Sequence, residues 1–165
     1  MFIPREISKT FHEYTKFPVV AILGPRQSGK KTLVTNVFKK HVYVSFEDPE
    51  IRQFAQTDPK GFLQEYENKH GIILDEFQEV HQVKRAEALL RGALQNFSEK
   101  IPIIILGSKQ HLLTSIFENP KAPFFSWGMT IEFHPIAYAE YHKYIEERFK
   151  LIGKNHSLKT SQYLQ

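Results

Sequence analysis

The feature that most constrains this chain is a glycine-rich segment between an apolar run and a helical pattern. Gly24 and Gly29 are separated by four residues, and Lys30 follows directly. The apolar run Val19–Leu23 before them predicts a buried strand. Residues 30–39 after them repeat apolar side chains at the helical period. A strand, a glycine-containing turn and a helix in this order predict a loop that wraps a phosphate group.

The residue types in this loop suit an anionic ligand. Glycines let the backbone curl so that several N–H groups face one anion, and the helix N-terminus adds its positive end. Lys30 reaches the outer phosphates. Lys30 and Lys31 oppose the helix dipole at a cost of a few tenths of a kcal/mol or more each, which a bound polyanion would reverse. The predicted nucleotide-binding residues are Gly24, Pro25, Arg26, Gln27, Ser28, Gly29, Lys30, Lys31 and Thr32.

One position departs from the phosphate-loop pattern, which has Ser or Thr after the lysine as a ligand of Mg²⁺. Lys31 stands there instead, and Thr32 lies one step later, about 100° further round the helix. An ammonium at this position would repel a divalent cation by roughly several kcal/mol. Alternatively, Lys31 points away and water takes the vacant ligand position. The sequence does not decide between these alternatives, so it leaves Mg²⁺ binding open.

A second apolar run, residues 72–74, ends in two acids about 50 residues after the loop. In phosphoryl-transfer enzymes with such a loop, the first acid holds the Mg²⁺ shell, and a following Glu can polarise the attacking water. The pattern therefore predicts Asp75 as a metal ligand, together with Thr32, and Glu76 as a catalytic residue. The two acids would point to opposite faces if the strand continued.

Ser108 follows the fourth apolar run and Gly107. A small polar residue there would sit between the two preceding motifs and would sense the terminal phosphate. The alternative is an ordinary turn, because Gly and Ser favour turns for backbone reasons. The sequence supports both interpretations equally.

Apolar runs alternate with helical patterns along the chain, which predicts an α/β fold with a five-stranded, mainly parallel sheet and helices on both faces. The predicted strands are Val19–Leu23 and residues 41–46, 72–74, 101–106 and part of 124–133. The predicted helices are residues 30–39, 82–97, 112–117 and 136–149, with two short helices after Asp48-Pro49 and Asp58-Pro59, the second ending near His70. We predict one nucleotide-binding domain over residues 1–150 and a polar, disordered tail over residues 151–165.

Composition excludes several other classes. The 165 residues include no cysteine, so disulfides and thiolate sites are absent, which fits a reducing cytoplasm. No apolar run approaches the ~20 residues of a membrane span. The eight histidines show no metal-ligand spacing. The net charge of +4 is compatible with a nucleic-acid partner, but no dense basic stripe with interleaved aromatics indicates one.

These motifs together resemble those of prokaryotic AAA-type ATPases with a G-P-R-Q-x-G-K-T-T-L loop. The matching segments are Phe17 to Val20, Gly24 to Lys30 with Thr32-Leu33, Tyr43 to Pro49, Asp58 to Leu63, Leu74 to Gln78, Leu106 to Ser108 and His134 to Ile136. The resemblance implies an ASCE-type P-loop fold, ATP or ADP as ligand, a sensor role for Ser108 and water activation by Glu76. Such proteins usually carry a further C-terminal domain, and an unknown protein partner fits that organisation.

The chain also departs from this family pattern. Besides Lys31, the stretch that is usually similar to A-G-R contains no Arg over residues 121–125. Because the arginine that completes such sites between neighbours has no clear candidate, we expect a monomer or a weak dimer. Three hypotheses remain: an ATP-binding module with weak or absent hydrolysis, a working Mg²⁺-dependent ATPase that uses Thr32 or water, and a module that binds phosphate or nucleic acid.

Overall fold

Five parallel strands form the centre of the computed structural model, which describes residues 11, 13, 16–80, 84–98, 101–122 and 124–151. The strands are β1 (Val19–Leu23), β2 (Val42–Ser45), β3 (Ile72–Asp75), β4 (Ile103–Gly107) and β5 (Met129–Glu132). They lie in the order β2-β3-β4-β1-β5, and every neighbouring pair is parallel. The sheet is therefore wholly parallel, whereas the sequence predicts a mainly parallel one.

Helices follow the strands in the predicted rhythm. They are α1 (Lys30–Val37), α2 (Pro49–Thr57), α3 (Pro59–Glu65), α4 (Lys84–Ser98), α5 (Gln110–Phe117) and α6 (Tyr138–Leu151), with a 3-10 helix at Phe77–Val80. Proline begins both α2 and α3, and the preceding Asp48 and Asp58 each accept a hydrogen bond from a backbone amide of the first turn. This combination is a strong helix start, because the aspartate caps amides that the helix itself cannot satisfy.

Two buried clusters cover the two faces of the sheet. On one face, Val19, Ala21 and Leu23 pack with residues of α2, α3, α4 and α5. On the other face, Val20 and Ile22 pack with apolar residues of α1. The alternation along β1 arises because successive strand residues point to opposite faces, and both faces are buried in a parallel sheet. The prediction of helices on both faces is confirmed.

One predicted boundary is wrong, whereas the fifth strand lies within its predicted range. The helix that starts at Pro59 ends at Glu65, not near His70, because Asn68 accepts a hydrogen bond from the His70 amide at 2.7 Å and so favours a turn. The fifth strand occupies only Met129–Glu132 of the predicted range. Before it, the amide of Trp127 donates to the Phe124 carbonyl at 3.2 Å, and this turn keeps the preceding residues out of the sheet.

The helix α6 belongs to a second compact unit that begins at Ile136. None of its residues is buried, and Tyr138 and Tyr141 are exposed. The predicted polar tail lies outside the described residues from residue 152 onward, as does most of the N-terminal segment. No helix within the described ranges combines the length and apolarity that a membrane span requires.

His41, just before β2, makes the free energy of unfolding depend on pH. Both of its ring nitrogens are buried without a hydrogen-bond partner in the described part of the chain, and its ring packs on Phe38 with centroids 5.0 Å apart. Burial lowers the pKa of His41 below its usual value, and nearby His70 lowers it further. The unfolded chain, with a histidine pKa near ~6.5, then binds more protons than the folded chain in mildly acidic solution.

We therefore expect the free energy of unfolding to fall as the pH decreases below about 6.5, since only the unfolded state gains this proton readily. His41→Phe keeps a packed ring and removes the titration, so its unfolding free energy should depend less on pH between about 7 and 5. Urea unfolding across this range measures both slopes. His111→Gln, at an exposed site, is the control and should keep the wild-type slope. An unchanged slope in His41→Phe would contradict the assignment.

Candidate nucleotide-binding site

The glycine loop between β1 and α1 has the geometry of an anion-binding turn. Gln27 (φ 59°) and Gly29 (φ 88°) adopt left-handed backbone conformations, and α1 begins directly afterwards. No side chain caps the helix, and its first turn holds no acid. In the described part of the chain, no backbone carbonyl accepts a hydrogen bond from the amides of residues 27–31. Amides without a backbone acceptor at a helix N-terminus are donors that an anion can use.

Lys30 is held inside the loop. Its ammonium donates to the carbonyls of Gly24 and Pro25, both at 2.6 Å, and lies 3.3 Å from the Ser28 hydroxyl. The side chain is buried, and burial lowers the pKa of Lys30, while the carboxylates of Glu76 and Asp75 act in the opposite direction. The charge is thus placed at the centre of the loop, where bound phosphates would take over these hydrogen bonds.

Gly24 lies where the loop backbone passes closest to β5. A Cβ atom at this position would lie 2.1 Å from the Phe133 carbonyl oxygen, far inside a normal contact. The Gly24 amide also donates to Gly107 at the end of β4, at 3.3 Å. A residue without a side chain is therefore required to start the loop between its two neighbouring strands.

We expect Gly24→Ala to lower the free energy of unfolding by about 1–3 kcal/mol, because the contact is with backbone that cannot move without disturbing β5. Gly92→Ala in α4 is the matched control: a Cβ there meets no atom within 4 Å, so the substitution should stabilise the helix by up to ~1 kcal/mol. Denaturant unfolding of both variants measures the difference. A Gly24→Ala protein as stable as the wild type would contradict the close approach.

Asp75, at the end of β3, already has hydrogen-bond partners on both carboxylate oxygens. The Tyr43 hydroxyl donates to Oδ2, and the Glu76 amide donates to Oδ1 at 2.9 Å. Burial and the Asp75 carboxylate raise the pKa of Tyr43 well above its usual value, so its hydroxyl stays protonated and remains a donor. Lys31 completes the group, because its ammonium lies 4.4 Å from the centre of the Tyr43 ring.

This arrangement is a poor fit for a magnesium ion. Mg²⁺ requires an octahedral set of oxygen ligands at short range. Here a tyrosine donates a hydrogen bond to the acid, and Lys31 occupies the chain position at which the motif has a hydroxyl-bearing residue. Thr32 is exposed at the cleft. Among the described residues, no group of three or more metal-ligating side chains is found. Asp75 and Thr32 as metal ligands stay a prediction.

Glu76 and Ser108 lie in direct contact at the same edge of the sheet. The Ser108 hydroxyl donates to Glu76 Oε2 at 2.7 Å, and the Gln78 amide nitrogen donates to the same oxygen. Glu76 itself leaves the strand with a left-handed backbone (φ 51°). The expectation that Asp75 and Glu76 point to opposite faces of a continuing strand therefore does not apply. Catalytic roles for Glu76 and Ser108 stay predictions.

The loop and the acids share one open cleft of about 510 Å³. Its lining residues are Arg26, Gln27, Ser28, Gly29, Lys30, Lys31, Thr32, Glu47, Asp75 and Glu76. The cleft thus brings together the charged members of the predicted site. A second groove of about 260 Å³ between α3 and α4 contains none of the predicted site residues. The carboxyl ends of the parallel strands form the cleft edge, as expected for ligand sites in such sheets.

Sequence reasoning missed two residues of this region. The sequence indicates Tyr43 only as part of a segment shared with the family. The alternation of side chains along β2 nevertheless places its ring on the face of the sheet that α1 covers. Gln78 is likewise indicated only as part of such a segment, and it is buried with its Oε1 unpartnered within the described ranges. The place of both residues in the site can be recognised only when the strand order is known, because it depends on β2 and β3 lying side by side.

Comparison with known proteins decides the family. The model of the AAA domain family matches residues 16–142, which is most of the chain. The chain belongs to the AAA domain family. The sequence resemblance is thereby confirmed, and with it the P-loop fold and nucleotide binding as the property of the domain. No curated protein sequence matches the chain.

Solved structures support the fold of this AAA domain. A Walker-type ATPase of Pyrococcus abyssi superposes with a TM-score of 0.67 at 15% identity, covering 94% of this chain and 60% of that one. Domain III of the Thermotoga maritima replication initiation protein DnaA gives 0.64 at 13% identity, covering 94% and 74%. The Aeropyrum pernix ORC2 protein, in its ADPNP–ADP complexes, gives 0.61 at 18% identity, covering 92% and 53%. The AAA domain therefore spans roughly half to three-quarters of these proteins.

Proposed function

We propose that this AAA domain binds ATP through its phosphate loop without requiring Mg²⁺ and hydrolyses it slowly or not at all. The observation that carries the proposal is the position of Lys31. Lys31 occupies the chain position at which the motif has its magnesium ligand, and its ammonium lies 4.4 Å from the centre of the ring of Tyr43, whose hydroxyl donates to Asp75. The site is therefore built to meet phosphate charge with protein cations.

The positions of the cations in the cleft, rather than its net charge, support ATP binding by this route. Arg26, Lys30 and Lys31 contribute three positive charges to the lining, and Glu47, Asp75 and Glu76 contribute three negative ones. Arg26 pairs with Glu47 at 3.4 Å, but both side chains are exposed, so this pair is weak and easily exchanged for a phosphate contact. Lys31 is also exposed and lines the cleft. Two ammonium groups can thus approach a bound triphosphate. A nucleoside monophosphate, with a single phosphate, would contact fewer of these charges.

Weak hydrolysis follows from the same geometry. Phosphoryl transfer depends on positioning and on neutralisation of the developing charge, mainly by Mg²⁺. In this site the acid that would orient the ion is engaged by Tyr43. Glu76, the candidate water-activating residue, is also held by Ser108 and Gln78. Both carboxylates would have to change partners before they could take part in hydrolysis.

The proposal is tested by competition and by single-turnover assays. A fluorescent ATP analogue should be displaced by ATP and ADP and only weakly by AMP, in buffer containing EDTA. Phosphate release with protein in excess over ATP should be slow or undetectable in Mg²⁺. Efficient displacement by AMP, or fast phosphate release, would contradict the proposal.

The alternative to ATP binding is nucleic-acid binding through the same basic loop, and a DNA titration distinguishes the two. A backbone phosphate would bind with a strong dependence on salt, since counterions are released from the nucleic acid. Titration of the domain with single- and double-stranded DNA between about 50 and 200 mM salt measures this. Under our proposal DNA binding stays weak, and DNA does not displace the ATP analogue.

A further inference from the structure

The contact between Tyr43 and Asp75 links two neighbouring strands at the cleft edge. Tyr43 lies in β2 opposite Ile73 of β3, two residues before Asp75 on the same face of the sheet. The hydroxyl reaches along this face and donates to Asp75 Oδ2. The tyrosine is partly buried, and the acid is 9% exposed. The hydrogen bond is therefore shielded from water, where charge-assisted bonds are strongest.

The ring of the same tyrosine contacts Lys31. The ammonium lies 4.4 Å from the ring centroid, which is within the range of a cation–π contact. One side chain thus engages both the acid of β3 and the lysine that replaces the hydroxyl ligand at the start of α1.

From this geometry we propose that Tyr43 is the residue that sets the metal requirement of the site. Its hydroxyl occupies one lone-pair site of Asp75 Oδ2, while the Glu76 amide occupies one of Oδ1, so the tyrosine fixes the orientation of this carboxylate and weakens it as a metal ligand. Its ring holds Lys31 beside the cleft as a replacement cation for the phosphates. The inference rests on the proposed function, because it assigns to Tyr43 the magnesium independence proposed there for ATP binding.

Tyr43→Phe tests this because it removes only the hydroxyl and keeps the ring under Lys31. We define the metal ratio as the ATP dissociation constant in EDTA divided by that in Mg²⁺. The wild-type ratio should be near one. In Tyr43→Phe the Asp75 oxygen becomes available, and the ratio should rise about tenfold, comparable to one charge-assisted hydrogen bond. Tyr66→Phe, at a tyrosine that packs on Phe62 at the end of α3, is the matched control and should keep the wild-type ratio.

A second variant shows whether the effect passes through the acid. In Tyr43→Phe combined with Asp75→Asn, the gain should disappear, because the released oxygen no longer belongs to a carboxylate. Electron paramagnetic resonance of Mn²⁺ in the presence of a non-hydrolysable ATP analogue gives an independent readout. It should detect bound Mn²⁺ in Tyr43→Phe and much less in the wild type.

The outcomes separate this inference from the proposed function. If the wild type binds no ATP in either buffer, the proposed function fails. If the wild type binds ATP and Tyr43→Phe keeps both the same metal ratio and the same Mn²⁺ spectrum, the inference is overturned while ATP binding stands. If the wild type already depends strongly on Mg²⁺, magnesium independence fails. The role of Tyr43 is then supported only by a further rise in the ratio in Tyr43→Phe, and an unchanged ratio overturns it.

Discussion

Lys30→Ala should weaken ATP binding by roughly a hundredfold, which corresponds to about 2.8 kcal/mol, and by no less than about tenfold. The Lys30 ammonium is buried and is held in the loop by two carbonyl contacts at 2.6 Å. Its removal eliminates charge-assisted hydrogen bonds to the phosphates in a buried position, where they are worth most. Calorimetric titration with ATP in EDTA measures the loss.

Lys60→Ala is the matched control for this experiment. Lys60 is an exposed lysine of α3 that lies in the other groove, so its removal should leave ATP affinity unchanged. Thermal unfolding of both variants checks that the loop change does not simply unfold the domain, since Lys30 also hydrogen-bonds loop carbonyls. If a folded Lys30→Ala protein binds ATP with wild-type affinity, the phosphate-loop assignment is wrong.

Lys31→Thr should create a magnesium-linked site. The substitution removes the ammonium that lies on Tyr43 and adds a hydroxyl where the motif supplies a metal ligand. Removing like-charge repulsion at short range is worth several kcal/mol in principle, but the side chain is exposed, so we expect about a tenfold gain in affinity with Mg²⁺. ATP hydrolysis should rise as well, provided that Asp75 and Glu76 change partners.

Lys31→Met separates the two causes of this gain. It removes the charge without adding a hydroxyl, so it should lose ATP affinity in EDTA and gain little from Mg²⁺. Phosphate release in Mg²⁺, measured side by side, ranks the three proteins. Steady release by the wild type that Lys31→Thr reduces would show that Lys31 or Thr32 already serves the chemistry, and our interpretation of this position would be wrong.

The sequence predicted the parts of the fold that depend on local patterns. The glycine spacing located the start of α1 at Lys30, and the apolar runs located all five strands within a few residues. The helix starts at Pro49 and Pro59 were predictable because each depends on a local signal: an aspartate that caps the first turn, followed directly by proline. The end of α3 was missed because the Asn68 side chain offers the backbone a hydrogen-bonded turn as an alternative to the helix.

The contacts within the site depend on strand order, which local patterns do not contain. Tyr43 and Asp75 are 32 residues apart and meet only because β2 pairs with β3. Likewise, Ser108 reaches Glu76 because β4 lies beside β3, and because Glu76 adopts a left-handed backbone that a continuing strand would not allow. The sequence could therefore identify Lys31 as the residue that departs from the phosphate-loop pattern, but it could not predict the direction of its side chain.

Under the proposed function, this site meets the charge of ATP with Lys30 and Lys31 rather than with a metal ion. Calorimetric titration of the wild-type domain with ATP, in EDTA and again in Mg²⁺, tests it directly. We predict saturable binding in both buffers with dissociation constants that agree within about threefold, a difference below ~0.7 kcal/mol. Binding that appears only in Mg²⁺, or that tightens there by tenfold or more, would contradict the account.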